Sequence, residues 1–219
     1  MKAAMQLPIQ RETSRDLVGT TVYLIRHGQV ADRKDLTAEE RADIPLGEIG
    51  REQARKLACR MRDVRLTGIY ASDLTRAIET ARIVAADRGL DVAVRSELRD
   101  IEVGQWRGIK TQKGKERYAD FLLGRLVEED GQPIPLGESF IQLRARVMPC
   151  YERIVAENID KCIAIVAHAA VIKVIVCSVL GLALQNRKRI EVNNAGLTRI
   201  DYLDGQGVII FYNDIAHLE

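Results

Sequence analysis

Two short apolar runs, each ending directly on a histidine, constrain this chain more than any other feature. Residues 21–25 read TVYLI and lead into Arg26, His27 and Gly28; residues 163–167 read IAIVA and lead into His168. Five-residue runs of this kind, rich in β-branched side chains and without polar alternation, suit strands buried on both faces of a parallel sheet. A lone histidine after a strand is more often structural than functional. The chain has only three histidines, and two of them in equivalent strand-end positions reverse that expectation. His217, near the C-terminus, has no such context and reads as a surface residue.

The rest of the chain alternates helix-like and strand-like segments. Residues 48–63 place Ile49, Ala54, Leu57, Ala58 and Met61 at helical spacing. Residues 68–71 form a second short strand. Ser72 is a good N-cap for a helix over residues 73–88, closed by Gly89, with Leu74, Ile78, Ala81 and Ala85 as its apolar face. A third strand is expected at 92–94, and residues 98–106 read as irregular with alternating character. Residues 109–137, rich in Lys, Glu and Gly, read as an inserted solvent-facing excursion. A helix over 139–157 carries Pro149, expected to kink it. A strand at 162–167, a helix over 171–182, and strands at 197–202 and 208–212 around the turn DGQG complete the pattern. No internal repeat or linker is visible. The expected organisation is a tail over 1–19 and a single domain over 20–219. Its fold class is α/β, a doubly wound, mainly parallel sheet with helices on both faces.

Composition narrows the function classes. Lys and Arg number 33 against 31 Asp and Glu, a formal net charge of +2. Such a balance offers no general attraction for nucleic acid or an anionic membrane. An anion would have to be held by a few placed arginines. Cys59, Cys150, Cys162 and Cys177 form no CxxC pair and no metal-ligand spacing, so they read as buried free thiols in a reducing compartment. The N-terminus lacks the apolar run of a signal peptide. Residues 162–184 are apolar but carry His168 and Lys173 near the middle, and a central Lys disfavours insertion by roughly 3 kcal/mol. A cytoplasmic protein is expected. The sequence does not give the oligomeric state, a homodimer being one possibility.

Ligands in open α/β sheets bind beyond the carboxyl ends of the strands. If the two histidine-tipped strands are parallel neighbours, both imidazoles meet at one sheet edge. Arg26 adjoins the first, and Arg76, in the first turn after the second strand, points to the same edge. Helix N-termini add free amides there. Two imidazoles, two guanidiniums and free amides make an anion pocket of phosphate size. A neutral imidazole is a competent nucleophile near pH 7, and its attack on phosphorus would give a phosphohistidine. The leaving alkoxide then needs an acid. Asp100 and Glu102, on one face of an extended segment, are the two candidates; both could instead pair with Arg99 and Arg107 in a structural network.

These residues bring the chain close to a known family. Leu24-Ile25-Arg26-His27-Gly28 resembles the Arg-His-Gly signature of the histidine phosphatase superfamily, the phosphoglycerate mutase-like proteins. Four further segments match in order: residues 45–50 with Gln53 and Ala54; residues 70–77 with Thr80; residues 98–108; and residues 165–168 with Val171 and Ile172. The resemblance covers about residues 21–202. It implies His27 as the nucleophile, Arg26, Arg76 and His168 as phosphate ligands, and no metal or other cofactor. The proton-donor position falls on Asp100, where Glu is usual; Glu102 is the alternative. Ala169 stands where the family often has Gly, but its backbone N–H remains available to phosphate. Val30 and Arg33 stand where members handling phosphoglycerate often have Ser or Thr and then Asn, and the 109–137 excursion is short for a dedicated mutase. The expectation is therefore a metal-independent phosphomonoesterase acting on a small phosphorylated substrate. A mutase of the same chemistry and a silent phospho-ligand-binding member are the alternatives.

Overall fold

The computed structural model describes residues 19–32, 43–102 and 137–219. Six strands among them form one sheet: β1 (Thr20–Arg26), β2 (Gly68–Ala71), β3 (Val92–Val94), β4 (Cys162–Ala167), β5 (Leu197–Leu203) and β6 (Gln206–Asp214). The spatial order is β3-β2-β4-β1-β5-β6. The β1–β4, β2–β4 and β2–β3 pairings are parallel, and β5 and β6 add an antiparallel hairpin at one end. Asp204 and Gly205, both at positive φ, make its two-residue turn, as Asp-Gly does in hairpins matched to strand twist.

The continuous apolar runs are explained by two cores, one on each face of the sheet. Val22, Leu24, Ile163 and Ile165 face one cluster; Tyr23, Ile25, Ala164 and Val166 face the other. The first is covered by α3 (Phe140–Ala156) and α4 (Ala169–Val179), the second by α1 (Glu48–Arg60) and α2 (Thr75–Ala85). Helices on both faces leave a central strand no solvent side, so residues 22–25 of β1 and 163–167 of β4 are all apolar.

The element boundaries depart from the sequence reading in ways the packing explains. Ser72 is not the N-cap of α2, whose cap position is Leu74; the Ser72 hydroxyl is turned to other partners described below. The buried face of α2 is Ala77, Thr80, Ala81, Val84 and Ala85, displaced from the one read off the periodicity. Ile49 is exposed rather than part of the α1 core. The α3 helix runs unbroken past Pro149, which lies on its exposed side. It is opened by a capping box in which Ser139 and Gln142 exchange side-chain to backbone bonds. The apolar stretch at 162–184 divides into β4 and α4, and no helix of the described residues is long and apolar enough to cross a membrane. Cys59 is exposed, Cys162 half-buried, and Cys150 and Cys177 buried; burial pushes the Cys162 thiol up to about 11. His217 is buried, not superficial, because the last turn of chain folds back against α1. Residues 1–18 of the 1–19 tail, residues 109–136 of the 109–137 excursion, Arg33 and Arg107 lie outside the described residues.

One contact fixes α1 against the loop that carries His27. Gly28 and Gly50 pack back to back: a Cβ on Gly50 would collide with the Gln29 carbonyl, and one on Gly28 with the Gly50 carbonyl. Both obstacles are backbone, so neither can swing aside. Gly50→Ala is expected to cost roughly 1–3 kcal/mol of stability, as overpacking in a close-packed interior does. Urea unfolding would measure it.

Candidate active site

The β1–β4 register pairs Arg26 with Ala167, so His27 and His168 are the next residues on neighbouring parallel strands. The His27 amide donates to the Ala167 carbonyl at 3.0 Å, which continues the ladder to the edge of the site. The two rings stand with centroids 5.1 Å apart and planes at 56°. His27 is 6% exposed and His168 fully buried.

The hydrogen bonds of His27 decide which nitrogen is available. Its Nδ1 lies 2.7 Å from the Gly28 carbonyl. A carbonyl only accepts, so the proton sits on Nδ1 and Nε2 keeps its lone pair. That lone pair faces the Arg76 side chain, whose Nε–H donates to Nε2 at 3.3 Å. Asn194 holds the same residue from behind, its Nδ2 donating to the His27 carbonyl at 3.0 Å. Thr80 supports the loop and α2 together: its Oγ1 accepts from the Gly28 amide at 3.1 Å and donates to the Arg76 carbonyl at 2.8 Å.

Arg76 links the remaining groups. Its Nη2 donates to Asp100 Oδ2 at 3.2 Å, and the same oxygen lies 3.8 Å from His168 Nδ1. The acids nearest Arg76 in sequence have other partners. Glu79 pairs with Arg51 at 3.3 Å and Asp73 with Arg99 at 2.9 Å. Arg26 donates from Nη1 to the Val192 carbonyl at 2.6 Å. Ala169 opens α4 directly after His168, so its N–H is among the first-turn amides without a partner inside the helix.

The Asp100 carboxylate meets Arg76 and His168, whereas the Glu102 backbone pairs with Glu138, the Glu138 amide donating to the Glu102 carbonyl at 2.7 Å. The Asp100 segment is clamped by Arg146. Its guanidinium donates to the carbonyls of Glu97 at 2.7 Å and Arg99 at 2.9 Å and is held by Glu138 at 2.6 and 2.9 Å.

The electrostatics follow from burial among cations. His27 is held well below the ordinary imidazole value, first by burial and then by His168, Arg76 and Arg26. His168 is lowered likewise, by burial and then by Arg76, Arg26, Arg146 and Arg99. Both rings are therefore neutral at pH 7, and the positive charge of the pocket resides on the guanidiniums. Among the described residues no three His, Cys, Asp or Glu side chains gather so as to hold a metal ion.

Several residues of the site went unremarked in the sequence or were given a smaller role. Asp43 Oδ2 accepts from the Thr75 amide at 2.8 Å and the Thr75 hydroxyl at 2.7 Å, and Asp43 Oδ1 lies 3.8 Å from Arg76 Nη1. It thus anchors the start of α2 and one side of the arginine. Asn194, in the loop before β5, reaches the His27 carbonyl. Arg146 carried no local signal beyond its place on a helix.

Known proteins place this geometry in a family. The model of the histidine phosphatase superfamily (branch 1) matches residues 22–215. The chain is 32% identical over 212 residues to a protein of Enterobacter sp. (strain 638) named "Probable phosphoglycerate mutase GpmB", covering 90% of this chain and 94% of that one. Among solved structures, phosphoserine phosphatase from Entamoeba histolytica with bound 3-phosphoglyceric acid is 26% identical with a TM-score of 0.74, over 91% of this chain and 100% of that one. The mycobacterial glucosyl-3-phosphoglycerate phosphatase with VO3 is 28% identical with a TM-score of 0.73, over 88% and 98%. Fold, strand-end histidines and family match agree: the chain belongs to the histidine phosphatase superfamily, branch 1.

Proposed function

We propose that the protein is a phosphomonoester hydrolase that works through a phosphohistidine on His27 and needs no metal. The observation that carries this reading is the tie between His27 Nδ1 and the Gly28 carbonyl, which leaves Nε2 as an unprotonated nucleophile inside a ring of cations. In this reading Arg26, Arg76, His168 and the Ala169 amide hold the phosphate oxygens. Guanidinium forks and helix N-terminal amides are the groups that neutralise charge spread over equatorial oxygens during phosphoryl transfer.

The steps balance as two displacements. His27 Nε2 forms a bond to phosphorus as the bond to the ester oxygen breaks. Asp100, protonated from solvent once the substrate has displaced it from Arg76, gives that proton to the leaving oxygen; water then attacks phosphorus as the Nε2–phosphorus bond breaks, Asp100 takes the water's proton, and inorganic phosphate leaves. An incoming phosphate competes with the Asp100 carboxylate for Arg76, and in leaving that arginine Asp100 becomes free to face the ester oxygen. Relatives named as phosphatases support hydrolysis. The relative named as a mutase gives the second reading, in which the phosphohistidine returns its group to an acceptor. That reading requires a bisphosphorylated primer and yields isomerised product.

Three outcomes are expected. Turnover of p-nitrophenyl phosphate persists in EDTA and is lost in His27→Ala; activity that needs a divalent metal would overturn the mechanism. Asp100→Asn slows hydrolysis of an alkyl phosphate by roughly 10²–10⁴-fold, the usual worth of a general acid, and slows the p-nitrophenyl ester, which needs no proton, far less. If Glu102→Gln gives that pattern instead, Glu102 is the acid. Because His27 is held below the ordinary imidazole range, the nucleophile stays unprotonated as pH falls from about 8 to the free-imidazole value of about 6.5. The rate of phosphoenzyme formation, read by rapid quench, is therefore flat across that interval.

A further inference from the structure

The second histidine has a partner that the proposed mechanism does not use. His168 Nε2 lies 2.9 Å from Ser72 Oγ. Both residues are fully buried, at 0% exposure each. Ser72 Oγ also accepts from the Leu74 amide at 3.3 Å. On the other side of the ring, His168 Nδ1 has no hydrogen-bond partner and lies 3.8 Å from Asp100 Oδ2.

A count of donors and acceptors decides where the imidazole proton sits. A hydroxyl has one hydrogen and two lone pairs. If His168 carried its proton on Nε2, that N–H would donate to Ser72, whose oxygen already accepts from Leu74. The Ser72 hydrogen would then be left without an acceptor in a place water does not reach, and the Nδ1 lone pair would face the lone pairs of a carboxylate. If the proton is on Nδ1, the Ser72 hydroxyl donates to Nε2 while its oxygen accepts from Leu74, and Nδ1–H lies beside the Asp100 carboxylate, 3.8 Å away. A buried donor without a partner costs about 1–3 kcal/mol, enough to select the second arrangement. Protonation of both nitrogens is opposed by burial and by Arg76 and Arg26.

We infer that Ser72 is a positioning residue: its hydroxyl donates to His168 Nε2 and so holds the neutral ring with Nδ1–H aimed into the phosphate pocket. The inference rests on the proposed phosphate site but makes a separate demand on it. A neutral imidazole can offer an anion either a hydrogen or a lone pair, and only the first binds. Ser72 removes the second possibility before substrate arrives. It also ties the two halves of the site, since Ser72 follows β2 and His168 follows β4, and the Ser72 amide donates to the Val166 carbonyl at 3.0 Å.

Long-range ¹H–¹⁵N correlation spectra of protein labelled at histidine test this directly. His168, assigned by its loss in His168→Gln, is expected to show a protonated Nδ1 and a bare Nε2 near pH 7. In Ser72→Ala the two tautomers should mix, inorganic phosphate should bind roughly fivefold to tenfold more weakly, and KM should rise more than kcat falls. Ser72→Thr, which keeps the hydroxyl, should restore the Nδ1–H spectrum. A wild-type spectrum with the proton on Nε2 overturns the inference, as does Ser72→Ala with an unchanged spectrum and unchanged phosphate affinity. The Nδ1–H spectrum in a protein that turns over no phosphomonoester supports the tautomer and counts against the hydrolase reading alone.

Discussion

The parallel pairing of β1 with β4 is the constraint on which everything else in this protein depends. A register that sets Arg26 opposite Ala167 makes the next residue on each strand a histidine. A shift of one position would turn each strand's apolar residues to the wrong face and separate the rings. Burial on both faces enforces the register, because alternate residues of the two strands belong to different cores. The hydrophobic effect thus does positional work for chemistry: it decides which two side chains meet at the sheet edge without any contact between them being strong.

Around that pair, the site is assembled from segments with little local connection. Arg76 arrives on α2, Asp100 on an extended segment clamped by Arg146, and Asn194 from the loop before β5. Two of these are held by further groups: Asp43 and Thr80 bear on Arg76, and Glu138 holds the Arg146 that clamps the Asp100 segment. The result is a pocket whose arginines are oriented before any ligand enters. Pre-orientation of this kind removes the cost of arranging flexible guanidiniums at the moment of binding.

The parts of this arrangement that could be read from the sequence are those that local pattern encodes. His27, His168, Arg26 and Arg76 sit at strand ends or in a first helical turn, so the position of each follows from its own neighbours. The supporting residues do not, since their contacts join distant positions. Asn194 meets His27 across 167 positions, Ser72 meets His168 across 96, and Asp43 meets Thr75 across 32. Ser72 illustrates the difficulty well. A serine after a strand and before a helix satisfies the local rule for an N-cap, and tertiary contact gives it a different partner. The burial of His217 is hidden for the opposite reason, since nothing near it in sequence reveals that the chain end folds back onto α1. Alternation put Asp100 and Glu102 on one face and so offered no choice between them, whereas the contacts of the Asp100 carboxylate with Arg76 and His168 join distant segments.

Two neutral imidazoles enclosed by guanidiniums also make the protein a store of suppressed basicity. An unfolded chain would take up protons on these rings below about pH 6.5, whereas the folded pocket resists doing so. The native state then binds fewer protons than the unfolded one, so acidification through that range erodes the fold. An oxyanion seated among the arginines binds the folded pocket and not the unfolded chain, so it stabilises the native state by mass action. Occupancy of the pocket thereby offsets part of what acidification takes from the fold.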